Sequence, residues 1–202
     1  MYLQIKRFFD YFGSLLILII LSPVLLITSI IILTFDGKPI LFKQIRVGKN
    51  GIKFTLYKFR SMKFSNIYSG IGSIENSESA LEARGRFKVT SINDKRITRV
   101  GKFIRASHID ELPQLYNVLK GDMSLIGPRP DVPAQIADYK KKDWDKRISV
   151  LPGITGFSQV KFTNSNEERT ENDLFYIQNI SFQNDLKILL MTIIKVLKMN
   201  SF

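Results

Sequence analysis

The chain contains no cysteine and a single histidine, His108. Without cysteine there is neither a disulfide framework nor a thiolate metal site, and a reducing compartment suits such a chain. One histidine excludes His-rich metal centres. Acidic residues are in short supply: 18 Asp and Glu face 30 Lys and Arg, leaving a formal charge of +12. That excess calls for an anionic partner, whether phospholipid headgroups, nucleic acid or a phosphorylated substrate. Internal repeats and long low-complexity tracts are absent, and 202 residues leave room for one domain plus a membrane element.

Charge is also missing from one continuous stretch, the 25 residues from Tyr11 to Phe35. A straight helix of that length would measure about 37 Å, enough to cross a hydrocarbon core of about 30 Å. At its middle stands Ser22-Pro23. Proline removes a backbone donor and clashes with the carbonyl four residues back. In lipid the freed carbonyl needs a local partner, and the Ser22 hydroxyl is well placed to be one. Split there, each arm has 12 residues, too short to cross alone. Lys6 and Arg7 precede the segment, and Lys38, Lys43, Arg46 and Lys49 follow it. Basic residues on both flanks suit two ends on one membrane face, so residues 1–36 read as a re-entrant helical hairpin. A kinked single span is the alternative. A cleaved signal peptide fits less well, because no small-x-small site follows the apolar run.

Ile40–Val47 and Ile52–Arg60 bracket Gly48-Lys49-Asn50-Gly51 and predict a β-hairpin. Ser65–Glu78 reads as a surface loop and Ser79–Arg86 as a short helical run, in a region to Asn93 with no legible motif. A helix is expected from Ser107 through Lys120 with Gly121 as its stop, and another over Val132–Ser149. Leu125–Pro130 cannot be helical, and Leu151–Gly156 reads as a turn-rich connector. Leu186–Lys198 sets Lys187, Lys195 and Lys198 against a broad aliphatic face, which suits a helix lying in the membrane interface. An ordinary core-packing helix has the same pattern. The fold expected is α+β and mostly helical: a membrane hairpin over 1–36, a catalytic body over 37–185 and an interfacial helix over 186–202.

The residues richest in chemistry are Asp110 and Glu111. Acids opening a helix have an ordinary explanation in the macrodipole, with Ser107 as N-cap. Their surroundings suggest more. Arg96, Arg99, Lys102 and Arg105 precede the pair, and Arg129 follows between two prolines, its guanidinium aimed at low entropic cost. Arginines bind phosphate oxygens, and carboxylates can share a magnesium ion with substrate phosphates. Together they describe a phosphoryl-transfer site.

Several blocks carry a closer likeness: Phe42-Lys43-Gln44-Ile45-Arg46-Val47-Gly48, Tyr57-Lys58-Phe59-Arg60-Ser61-Met62 and Arg96-Ile97-Thr98-Arg99-Val100-Gly101-Lys102-Phe103-Ile104-Arg105. They continue through Asp110-Glu111-Leu112-Pro113-Gln114-Leu115, Asn117–Ser124, Gly127-Pro128-Arg129-Pro130 and Pro152-Gly153-Ile154-Thr155-Gly156. In this order, and with the Ser22-Pro23 break, the chain resembles the monotopic polyprenyl-phosphate phosphoglycosyl transferases, bacterial sugar transferases that begin glycan assembly on a lipid carrier. The resemblance implies a Mg2+-dependent ping-pong reaction at the cytoplasmic face of the bacterial inner membrane. Asp110 would attack the sugar-linked phosphate of a UDP-sugar, expel UMP and carry a covalent phosphosugar, which polyprenyl (undecaprenyl) phosphate then accepts. Glu111 would help place Asp110 and the metal. Arg105 and Arg129 match phosphate-binding positions, and Lys58 and Arg60 are further candidates for that role or else residues that only stabilise the fold. His108 reads as a spacer.

One departure concerns the sugar. Where the family commonly continues Gln-Val-x-Gly-Arg-Asn, the chain reads Gln159-Val160-Lys161-Phe162-Thr163-Asn164, with Phe and Thr in place of Gly and Arg in a region expected to contact the nucleotide-sugar. Two other classes compete. A membrane-tethered nucleic-acid binder would use the Tyr139-Lys140-Lys141-Lys142 run but lacks a binding motif, so no nucleic acid is expected. A non-catalytic membrane-bound scaffold would have no reason to keep the acid pair and Arg129.

Overall fold

The computed structural model of the protein describes residues 2–63, 94–161, 163 and 165–198. The loop and helical run expected between Ser65 and Asn93 lie outside the described residues, as do Phe162 and Asn164. Two helices open the chain, α1 (Tyr2–Ile20) and α2 (Ser22–Phe35), and they bend by 60° at Leu21. Pro23 sits in the first turn of α2, where its missing N–H matters least. The carbonyl it would have bonded belongs to Ile19, and the Ser22 hydroxyl donates to that oxygen at 2.8 Å. The expected break is present, with the arms at 19 and 14 residues. Their angle makes a shallow V rather than a tight hairpin. Among the described residues no single helix is long and apolar enough to cross a membrane.

The faces of α1 are inverted relative to a soluble helix. Lys6, Asp10 and Ser14, one helical stripe, are buried, while Phe8, Phe9, Phe12, Leu16, Ile19 and Ile20 are each more than half exposed. Lys6 donates to Asp185 at 2.7 Å. Asp10 accepts from the Ser124 hydroxyl and the Leu125 N–H at 2.7 and 3.0 Å, and Arg7 donates to the Val118 carbonyl at 2.9 Å. Lys6 and Arg7 are therefore internal clamps and not the free flanking charges expected.

Strands β1 (Leu41–Val47) and β2 (Lys53–Phe59) form the expected antiparallel hairpin, paired from Leu41↔Phe59 to Val47↔Lys53. Its turn needs the positive φ of Asn50 and Gly51. Helix α3 (Arg99–Ala106) follows, capped by Thr98, and then a 3₁₀ turn over Ile109–Glu111 and helix α4 (Gln114–Lys120). The continuous helix expected from Ser107 is thus interrupted. Pro113 cannot donate to the Ile109 carbonyl, so the helix restarts after it. Ser107 is the C-cap of α3 and not an N-cap, while Gly121 ends α4 in the left-handed conformation as expected.

Strand β3 (Ser124–Ile126) pairs in parallel with β4 (Gly153–Thr155), so Leu151–Gly156 is more than a connector. The helix expected over Val132–Ser149 is split into a 3₁₀ turn at Pro133–Asp138 and α5 (Lys141–Arg147). Helices α6 (Phe157–Val160), α7 (Asn166–Gln178) and α8 (Phe182–Leu197) complete the chain. Ser165 and Ser181 cap α7 and α8. Helix α8 packs inward through Asp185 and Ile188, with Thr192 bonded to Thr155 and Lys195 to the Gln159 carbonyl, each at 2.7 Å. Its exposed face is aliphatic, and Lys195 leaves the expected outer lysine stripe.

Among the described residues the core falls into three clusters. Phe54, Leu56, Val118 and Met123 seat α4 on the hairpin. Ile32 of α2 packs with Phe59 and Ile104, and Ile126, Tyr176 and Ile188 join β3 to α7 and α8. The β-hairpin is thereby fixed beneath the 3₁₀ turn that carries the acid pair.

Candidate active site

His108 takes a left-handed conformation, φ 56°, and reverses the chain after α3. Its carbonyl accepts the Glu111 N–H at 3.1 Å, closing the short turn that presents Asp110 and Glu111 side by side. From β2, the Lys58 ammonium reaches Glu111 Oε1 at 2.5 Å, and Arg129 lies 3.6 Å from the same oxygen. Burial disfavours the Glu111 carboxylate, yet Lys58 and Arg129 outweigh it and hold its pKa at about 2. Asp110 is different. Among the described residues it has no hydrogen bond or ion pair, and burial pushes its pKa up against the pull of Lys58 and Arg105. One carboxylate is clamped; its neighbour is uncommitted.

Arg129 is carried on a loop that is braced from three sides. Arg147 donates to the Arg129 carbonyl at 2.6 Å, Arg46 to the Pro130 carbonyl at 2.7 Å, and the Val47 N–H to the Asp131 carbonyl at 2.9 Å. Arg147 is buried between Asp131, 2.8 Å away, and Asp173, while Arg169 and Tyr139 bind Asp131 at 2.9 and 2.8 Å. Such a network satisfies charges that would be strongly unfavourable if left alone. The Arg129 side chain remains 41% exposed and free to meet a ligand. Sequence reasoning missed Arg147, Asp131 and Asp173 because partners 16 and 26 residues apart leave no local signal. Arg46, read from the sequence as a flanking charge and part of a motif, stands beside Arg129, and burial with that like charge lowers its pKa to about 10.

Backbone contacts set the loop's position. A Cβ on Gly156 would lie 2.1 Å from the Gly127 carbonyl oxygen, far inside van der Waals contact. Gly156→Ala is therefore expected to destabilise the protein by about 1–3 kcal/mol and to shift the Arg129 loop. Thermal unfolding should show a lower midpoint, and an unchanged midpoint would contradict this packing.

Of the residues singled out from the sequence, Lys58, Asp110, Glu111 and Arg129 converge. Arg105 ends α3, and its charge favours the Asp110 carboxylate. Arg60 does not join them. It is 6% exposed and donates to the carbonyls of Asp36, Gly37 and Lys38, the last two at 2.7 and 2.8 Å. Its guanidinium ties the end of α2 to the body, so of the two roles expected for it the fold-stabilising one holds and a place beside the acid pair does not. For magnesium, no group of three or more His, Cys, Asp or Glu side chains is assembled among the described residues. An all-protein cage is thereby excluded there. The donor set suits an ion that takes one or two carboxylates and completes its shell with phosphate oxygens and water, with Asp110 open to it.

A family model described as bacterial sugar transferase matches residues 1–199. The chain is 40% identical over 195 residues to an uncharacterized sugar transferase, EpsL, of Bacillus subtilis, covering 96% of this chain and 87% of that protein. It is 41% identical over 196 residues to the undecaprenyl-phosphate galactose phosphotransferase of Salmonella typhimurium. A third relative, 37% identical over 199 residues, is the UDP-glucose:undecaprenyl-phosphate glucose-1-phosphate transferase of Klebsiella pneumoniae. These alignments take in 96% and 94% of this chain, but only 40% and 39% of those longer proteins.

Proposed function

The chain belongs to the bacterial sugar transferase family, and from that premise we propose that it transfers a sugar 1-phosphate from a UDP-sugar to undecaprenyl phosphate. The observation that carries this reading is the uncommitted Asp110 carboxylate beside Glu111, itself held between Lys58 and Arg129. An Asp110 oxygen attacks the phosphorus that bears the sugar. The bond from that phosphorus to the bridging oxygen breaks, and UMP leaves with the electron pair. An oxygen of the lipid phosphate then attacks the same phosphorus, the aspartyl–phosphorus bond breaks, and the carboxylate is restored as polyprenyl-diphosphate sugar departs. Splitting one displacement into two is the general advantage of a covalent intermediate.

Both steps bring an anion towards an anion, so positive charge must already be in place. Lys58 and Arg129 supply it at Glu111, and Arg105 adds to it near Asp110. Glu111 takes Lys58 and Arg129 as its own partners, leaving Asp110 without an ion pair among the described residues. Magnesium, held by Asp110 and Glu111 together with the diphosphate, would further screen the charge on the phosphoryl group. The test is UMP release by the purified protein from a panel of UDP-sugars with undecaprenyl phosphate. UMP should appear with one or a few of them, and none with any would overturn the reading.

The same proposal puts the chain at the cytoplasmic face of the bacterial inner membrane, with α1 and α2 dipping into one leaflet. Helices of 19 and 14 residues measure about 28 and 21 Å. With a 60° bend and both ends level, the longer arm inclines about 25° and the shorter about 35° to the bilayer plane, and their junction reaches roughly 12 Å deep. That is close to one leaflet of about 15 Å. Replacing Ser22-Pro23 by Ala-Leu should straighten the pair and favour a spanning topology. In this cysteine-free chain, Gln4→Cys should be shielded from an impermeant reagent in intact cells and become reactive in the Ala-Leu background. Labelling of Gln4→Cys without those replacements would mean that the segment spans.

A further inference from the structure

At the exit of α2, away from the acid pair, lies a recess of about 780 Å³. That volume is within the range of small-ligand pockets, about 300–1,000 Å³. Lys38, Lys63, Lys95 and Arg99 stand around it, and none of them has a salt bridge among the described residues. The acid on its wall, Asp36, is engaged by the Thr98 hydroxyl at 2.8 Å. Arg60 also lines the recess. Its two terminal nitrogens hold the carbonyls of residues 36–38, but its Nε–H is buried and has no acceptor among the described residues. A buried guanidinium donor without a partner, inside a ring of uncommitted cations, calls for an anionic oxygen.

We propose that this recess binds the phosphate of an anionic membrane phospholipid, in addition to the two substrates of the transfer reaction. The inference rests on the re-entrant reading of α1 and α2. Ile32 and Leu25 of α2 pack against Ile104 and Val100 of α3, so α3 lies beside the membrane helix. Phe103 on α3 and Phe35 at the end of α2 are 62% and 76% exposed. Aromatic rings interleaved with lysine and arginine where an apolar helix leaves the bilayer form an interfacial belt. A bilayer lipid is the better occupant than the reacting acceptor, because none of Lys58, Asp110, Glu111 and Arg129 lines the recess.

The test is the lipid retained by the full chain when it is released from nanodiscs containing equal phosphatidylglycerol and phosphatidylcholine, read by native mass spectrometry. Phosphatidylglycerol should exceed phosphatidylcholine by at least about fivefold. The variant K38Q/K63Q/K95Q should bring the ratio to about one while still releasing UMP in phosphatidylcholine discs. A control with the same charge loss, K140Q/K141Q/K142Q, should keep the native ratio. Undiminished preference in the recess variant, or equal loss in the control, overturns the proposal. So does a raised KM for undecaprenyl phosphate in phosphatidylcholine discs, which would assign the recess to the acceptor. If the triple variant fails to fold, K38Q and K95Q alone should each lower the ratio about twofold, and unchanged ratios overturn the proposal. Escape of the native chain from the discs would instead bring down the re-entrant reading on which this rests.

Discussion

Asp110→Asn should lower UMP release by at least about 10⁴-fold, the scale seen when a covalent nucleophile is removed. The amide matches the carboxylate in size but is neutral and a poor nucleophile. The effect should be confined to chemistry. Asp110 makes no hydrogen bond or ion pair among the described residues, and its burial disfavours the charged form. The variant should therefore fold normally, with a thermal midpoint equal to or slightly above that of the native protein. Glu111→Gln should behave differently, because it leaves Lys58 and Arg129 facing one another without their shared anion. Substantial turnover by Asp110→Asn would remove the nucleophile from this account.

Arg129→Ala should reduce kcat/KM by roughly 10²–10³-fold, the loss typical of one preorganised donor to developing charge. Lys141→Ala, which removes an exposed positive charge on α5, should change it less than about twofold. The contrast follows from how the two are held. Arg129 is fixed by prolines on either side and by hydrogen bonds from Arg147 and Arg46 to the carbonyls of its loop. Arg129→Lys should recover only part of the loss, since an ammonium keeps the charge without the planar fork. Equal losses at Arg129 and Lys141 would show that bulk charge, and not an aimed guanidinium, matters.

The parts of the site legible in the sequence are those set by local chemistry. Pro23 broke the first helix and Ser22 satisfied the carbonyl it orphaned. Gly48–Gly51 reversed the hairpin, and Arg129 between prolines stood out without any structure. What stayed hidden depends on partners far apart in the chain. The β3–β4 pair has three residues per strand and forms because Gly127, Gly153 and Gly156 allow backbones to meet. Charge gave the most misleading signal. Lys6 read as a basic flank of the apolar segment and Arg60 as a phosphate ligand or a fold-stabilising group, yet one is buried against Asp185 and the other is committed to three carbonyls. A residue type states what a side chain can do, and only its neighbours decide whether that capacity is already committed. The same distinction separates Asp110 from Glu111, adjacent in sequence and opposite in circumstance.

The central claim, a covalent phosphosugar on Asp110, is tested most directly by intact-mass analysis after incubation with the cognate UDP-sugar and without lipid acceptor. The account predicts a mass increase of one sugar phosphate, mapped to Asp110, accompanied by one equivalent of UMP and discharged when undecaprenyl phosphate is added. UMP release that proceeds only with acceptor present and leaves no adduct, or an adduct on any other residue, would contradict it.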